Sequence, residues 1–276
     1  MIRIVDAQVH IWGANTPARP WPARAHSHGE SLAAAKVLAE MDAAGVERAI
    51  IVPPSWEGDR NDLALAAAKE HPTRFAVMGR FDPELAGARA LVPAWREQPG
   101  MLGMRFSFHT PLLRQPFLEG HFDWVWGALE EARVPAMVLI HHEHMDRMDA
   151  VARRHPGLQL VIDHLGLVNG EKDSHAFRGL ANLLALARLA NVAVKASALP
   201  CYTGDAYPYR WVHPHIRRVY DAFGPRRMFW GTDLSRLPCT YREAVTMFTE
   251  EIPWLCGEDK EWIMGRGVCE WLGWKL

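Results

Sequence analysis

The sequence predicts an α/β protein in which eight strands alternate with helices and close into a barrel. Three observations predict it. Short apolar stretches recur along the chain, each followed by a segment of helical periodicity. Several, such as Ala49-Ile50-Ile51-Val52 and Met137-Val138-Leu139-Ile140, are apolar without alternation, as parallel strands covered on both faces should be. The chain runs for 276 residues without a break in composition. Barrels of this length are single domains, so residues 1–276 are expected to form one.

The elements follow in order. The first strand, over 2–12, starts as an apolar run with β-branched residues. Residues 13–30, rich in Pro, Arg and His, read as a long loop. Arg19-Pro20-Trp21-Pro22 gives that loop the character of an ordered flap. His26 and His28 have the spacing of a metal pair, although loop histidines are usually solvated. Leu32, Ala35, Leu38, Ala39 and Met41 stand at helical spacing over 31–44, with Gly45 as the stop. Further strands are predicted at 46–53, 74–81, 101–108, 135–142, 158–165, 192–198 and 228–234. The helices between and after them are predicted at 61–71, 85–97, 123–132, 145–155, 175–189, 214–223, 241–251 and 260–268. The stretches 109–121 and 201–211 read as loops.

Composition excludes several classes of function. A formal net charge of −1 offers no footprint for nucleic acid or an anionic membrane. No apolar run is long enough to span a bilayer. Met1 leads directly into a strand, so no secretory signal is expected. Cys201, Cys239, Cys256 and Cys269 are scattered without a C-x-x-C spacing, as reduced thiols of a cytoplasmic protein would be. Tryptophan is abundant, at 12 residues, and Trp254, Trp262, Trp271 and Trp274 near the C-terminus are expected to pack on the barrel or on a second copy.

Chemistry should sit at the C-terminal strand ends, where barrel active sites lie. In an extended first strand Asp6, Gln8 and His10 share one face, which is costly to bury unless the groups are paired or line a site. The fourth strand contributes Arg105, with Ser107 and His109 on the same face, and the fifth ends in His141-His142. Asp163-His164 closes the sixth, Lys195 and Ser197 lie on the seventh, and Asp233 follows the eighth. Each alone has a structural explanation: a satisfied core histidine, an ion pair through Arg105, or Lys195 neutralising Asp233. Their convergence on one end of the barrel points to a site. Histidines with a carboxylate suit a divalent metal. They equally suit a metal-free site where a carboxylate takes a proton from water and cations polarise a carbonyl.

Asp6-Ala7-Gln8-Val9-His10, Asp163-His164-Leu165-Gly166 and Gly231-Thr232-Asp233-Leu234-Ser235 resemble motifs of the amidohydrolase superfamily. More narrowly they are similar to its amidohydrolase-2 branch, which holds sugar and pyrone lactonases, sulfomuconolactone hydrolase and aromatic-acid decarboxylases. The similarity runs through most of the chain, including the closing 262–272 segment. It implies a distorted (β/α)8 TIM barrel with hydrolytic or lyase chemistry. The metal ligands of metal-binding relatives would correspond to Gln8 and His10, His141 and Asp233. His164 would match the histidine that binds substrate or shuttles a proton. Gln8 departs from the metal-binding pattern, because a neutral amide is a poor zinc ligand beside imidazole.

The expectation is therefore a hydrolase of a lactone or related cyclic ester of a small carboxylated molecule, working without a cofactor. Asp233 would activate water, and His10, His141 and His164 would polarise the carbonyl or donate to the leaving oxygen. Arg105 would grip a substrate carboxylate, with Lys195 as a second candidate for that work or for the oxyanion. Gln8, Trp12, Trp56 and Tyr202 would line the pocket. One alternative is a metal-dependent decarboxylase or hydrolase holding zinc or manganese at His10, His141 and Asp233. Another is a non-catalytic binding protein on the same scaffold.

Overall fold

Eight parallel strands run in sequence order around one sheet. They are β1 (Val5–Val9), β2 (Arg48–Ile51), β3 (Phe75–Arg80), β4 (Met101–Ser107), β5 (Ala136–Leu139), β6 (Leu160–Ile162), β7 (Val192–Ser197) and β8 (Met228–Gly231). This computed structural model describes residues 2–22 and 30–275, so the His26–His28 pair lies outside the described residues. At the seam the Asp233 N–H donates to the Gln8 carbonyl at 2.9 Å, and the Thr232 N–H donates to the Asp6 carboxylate at 2.9 Å. The result is a nearly closed (β/α)8 barrel, as the alternation of elements predicts.

The outer layer is α1 (Ala34–Ala44), α2 (Asp62–Glu70), α3 (Ala88–Leu91), α4 (Pro111–Leu118), α5 (Asp123–Ala132), α6 (Met145–Arg154), α7 (Asp173–Ala176), α8 (Leu180–Leu184), α9 (His213–Phe223), α10 (Tyr241–Thr249), α11 (Gly257–Glu261) and α12 (Gly267–Leu272). Gly45 stops α1 in the left-handed region at φ 78°. Thr240 and Glu243 form a reciprocal capping box that starts α10. The stretch expected as a loop over 109–121 contains α4, which opens on Pro111, where the missing N–H has no intrahelical partner to lose. The helix expected over 175–189 is broken at Phe177–Gly179, so its apolar spacing serves two short turns.

Two packed zones flank the sheet. Val5 and Ala7 of β1 join Ile50, Ala76, Met78, Leu102, Met137, Val161, Ala193 and Phe229, one or two residues from every strand, as the floor inside the barrel. Val9 and Ile11 instead pack with the outward residues Ala49 and Ile51 under the helices. Ala7 and Val9 would share a face in a regular strand. A register shift between Asp6 and Val9 separates them. The shared face expected for Asp6, Gln8 and His10 is therefore corrected: Gln8 and His10 point into the barrel, while Asp6 bonds outward to Tyr241 of α10.

Below the floor, 262–266 turns under β1, where a Cβ on Gly265 would meet the Arg3 carbonyl at 2.5 Å. The C-terminal tryptophans pack on their own barrel. Trp271 meets Phe229 at 6.1 Å, Trp254 meets Tyr220 at 5.0 Å, and guanidinium groups of Arg226 and Arg48 lie over Trp262 and Trp274.

Candidate active site

Above the apolar floor the inward positions become polar. Arg80, Arg105, Ser107, Asp163, Lys195, Ser197 and Gln8 form a buried layer, and His10, His164 and Asp233 stand over it. The chain strains to place the upper groups. His164, Ala198 and Asp233, which follow β6, β7 and β8, have φ of 50°, 56° and 53°. Non-glycine residues held there cost about 1–3 kcal/mol each, and such positions concentrate at functional sites.

Asp233 is the centre. It is 1% exposed. Its Oδ1 lies 2.9 Å from His10 Nε2, and its Oδ2 lies 2.9 Å from Arg236 Nη1 and 3.6 Å from His164 Nε2. Burial would raise this carboxyl, but the charge and hydrogen bond of His10, then Arg236, hold it well below the usual carboxylate range. His10 Nδ1 lies 2.5 Å from the Val52 carbonyl, which can only accept, so Nδ1 carries a proton. Burial pushes His164 down to about 3 despite the nearby Asp233 and Asp163, leaving a neutral ring.

A cavity opens over this centre. Gln8, His10, Arg105, His141, His164, Tyr202 and Asp233, all expected at a site, line it, together with His109, Arg236 and Asn169. The His141 side chain makes no hydrogen bond among the described residues, and burial lowers its pKa below the ordinary imidazole value. Arg105 reaches the cavity wall from beneath, with Nε 3.2 Å from Asp163 and Nη1 on Ser107. Three expected lining residues are not brought there. Lys195 is fully buried in the layer below, its ammonium 2.8 Å from Asp163 and bonded to Gln8 Oε1, so it cannot grip a substrate carboxylate. Trp12 donates to the Glu30 carbonyl and packs edge-on against Trp56 at 5.5 Å, and neither ring lines the cavity.

Arg236 was not singled out from the sequence, although it lies three residues after Asp233 on a turn that must bring the two together. Arg80 was also passed over. It occupies the same inward position of β3 that Arg105 occupies in the adjoining β4, and both guanidinium groups donate to Ser107 Oγ.

The donor set does not fit a tightly held divalent metal. The Gln8 amide oxygen is taken by Lys195, and the Asp233 oxygens face His10 and the Arg236 cation. His141 lines the same cavity, and among the described residues no three His, Cys, Asp or Glu side chains are arranged around a metal position.

The barrel with its carboxylate and histidines at the strand ends defines a hydrolase-type α/β barrel. The family model Amidohydrolase (Amidohydro_2) matches residues 5–265, and the chain belongs to that family. It is 27% identical over 249 residues to an L-fucono-1,5-lactonase of Burkholderia ambifaria, covering 84% of this chain and 81% of that protein. It is 26% identical over 237 residues to a 4-sulfomuconolactone hydrolase of Hydrogenophaga intermedia, covering 83% and 73%. An amidohydrolase of Burkholderia multivorans with bound zinc shares the fold at a TM-score of 0.84 and 21% identity, covering 98% of this chain and 99% of that one. A 5-carboxyvanillate decarboxylase of Novosphingobium aromaticivorans with manganese shares it at 0.71 and 15% identity, covering 99% and 96%.

Proposed function

We propose that this single-domain chain hydrolyses a lactone or related cyclic ester of a small carboxylated molecule. The observation that carries the reading is Asp233: an ionised carboxylate at the base of an open cavity, fixed from both sides by His10 and Arg236. Each of its oxygens keeps acceptor capacity beyond those contacts, so it can take a proton from a bound water. The hydroxide formed attacks the lactone carbonyl, the ring C–O bond breaks, and the proton passes to the leaving alkoxide. Water and lactone become one hydroxy acid. His141 donates to the carbonyl oxygen, and the Arg236 and Arg105 charges favour the developing oxyanion and a substrate carboxylate. The L-fucono-1,5-lactonase and the 4-sulfomuconolactone hydrolase are lactone hydrolases by name, which supports the same class here.

The decarboxylase alternative relies on a metal, and this donor set is a poor host for one, so the mechanism proceeds without it. Elemental analysis of protein purified without added metal tests this. One tightly bound metal per chain, lost with activity on chelation, would overturn the metal-free reading. Turnover of a lactone panel against an aromatic-acid panel tests the substrate class, and tight binding without turnover would favour a binding protein. Among the described residues no helix is long and apolar enough to cross a membrane. The four free cysteines suit a reducing compartment, and we place the enzyme in the cytoplasm.

A further inference from the structure

We infer that Lys195 and Gln8 form a relay that fixes which nitrogen of His164 carries the proton, and thereby keeps Asp233 uncapped. The direction of each hydrogen bond follows from donor chemistry. An ammonium only donates, so the Gln8 atom facing Lys195 is the amide oxygen. The other end of that amide, an NH2 that can only donate, then faces His164 Nε2 at 3.2 Å. Nε2 must accept, so the proton of the neutral ring sits on Nδ1, which donates to Ser197 Oγ at 2.7 Å. Asp163 anchors the start of the chain. Burial would raise its carboxyl, but Lys195 and Arg105 hold it below the usual range. Burial lowers the Lys195 ammonium in turn, and the Asp163 carboxylate 2.8 Å away opposes that by favouring the charged form.

The other tautomer would have a different consequence. His164 Nε2 lies 3.6 Å from Asp233 Oδ2. A proton on Nε2 would let His164 donate to that oxygen, which already receives Arg236. The carboxylate would then lose acceptor capacity where the proposed water must bind. Gln8 thus has a positive role in this chain: it is a donor held in register by a buried lysine. Lys195 and Gln8 are positioning residues in this scheme, since the relay acts through His164. The kinetic consequence rests on the lactonase reading, whereas the tautomer does not.

The direct test is nitrogen-15 NMR of imidazole-labelled protein, with the His164 signals assigned by their loss in His164→Asn. The wild type is expected to show a neutral ring protonated on Nδ1 between about pH 5 and 9. A proton on Nε2 in the wild type overturns the inference whatever the activity proves to be. In Gln8→Glu the partner of Lys195 is kept, but an acceptor replaces the donor facing His164. The His164 proton is then expected on Nε2, with kcat about tenfold or more lower and KM little changed. Gln8→Met, which removes the donor without adding charge, is expected to move the tautomer the same way. If both variants keep the Nδ1 proton, the relay is refuted. If the tautomer moves and turnover of a lactone does not, the relay stands and the role assigned to Asp233 fails.

Discussion

Two buried carboxylates stand on opposite faces of the β1–β8 seam, and they behave in opposite ways. Asp6 and Asp233 are 0% and 1% exposed. Asp6 accepts from the Gln8 N–H at 2.9 Å, the Thr232 N–H at 2.9 Å, the Thr232 hydroxyl and the Tyr241 hydroxyl at 2.7 Å. All of these donors are neutral, and burial outweighs them, pushing the carboxyl up to about 6. Asp233 is buried as deeply but faces His10 and the Arg236 guanidinium, and it is held well below the usual range. Dipoles can satisfy a buried carboxylate, but cations are needed to keep it ionised against desolvation. The first arrangement ties strands together, and the second keeps a base charged beneath a cavity.

The contrast can be broken first at Asp233. Asp233→Asn is expected to lower turnover by about 10²–10⁴-fold, with cooperative thermal unfolding retained. Near-normal lactone turnover in that variant would remove Asp233 from the mechanism. Arg236→Gln takes away one cation and should bring Asp233 closer to the behaviour of Asp6. Its kcat is expected to fall about tenfold, and the acid limb of the pH–rate profile should move upward. A limb that stays in place would mean that Arg236 does not hold the base ionised.

At Asp6 the expected loss is stability with the chemistry preserved. Asp6→Asn sets an amide donor against donors, and a loss of about 1–3 kcal/mol in denaturant unfolding is expected, with kcat unchanged. The pH dependence has a definite sign. The folded Asp6 pKa, about 6, lies above the ordinary aspartate value of 3.8. Its contribution is therefore full below the lower value and lost as pH rises through the upper one. The total is about 3 kcal/mol, and the slope should be absent in Asp6→Asn. Asp233 has the opposite linkage: its contribution is present above the unfolded value and lost as pH falls below it. His164, held neutral in the fold at about 3, contributes with the opposite sign over the same range, so the Asp6 part is read as the difference between wild type and Asp6→Asn. A difference that does not shrink as pH rises across the Asp6 window would contradict this account. The smallest effect belongs to Tyr241→Phe, which removes one of the neutral donors and should cost about 1 kcal/mol by chemical denaturation.

The sequence carried much of this. Continuous apolar runs marked several of the strands, because a parallel strand covered on both faces has little polar side to show. The position of Asp233 at the end of the last strand, and of His10, His141, His164 and Arg105 at others, was legible from where those strands stop. The bulge in β1 was not. It moves Asp6 to the outer face through one irregular pairing, and residue spacing alone assumes a regular strand. Lys195 is the other lesson. From spacing it appeared to be one more cation at the mouth, and only its depth below Gln8 separates a substrate-facing group from a buried one.

The chain by itself settled which elements form and in what order, since local periodicity and burial pattern are properties of neighbours along the sequence. Tertiary structure alone decided the state of the ionisable groups. Desolvation and the sign of nearby charges depend on residues from β1, β6, β7 and β8 meeting in space, and on which side of the sheet each of them is turned.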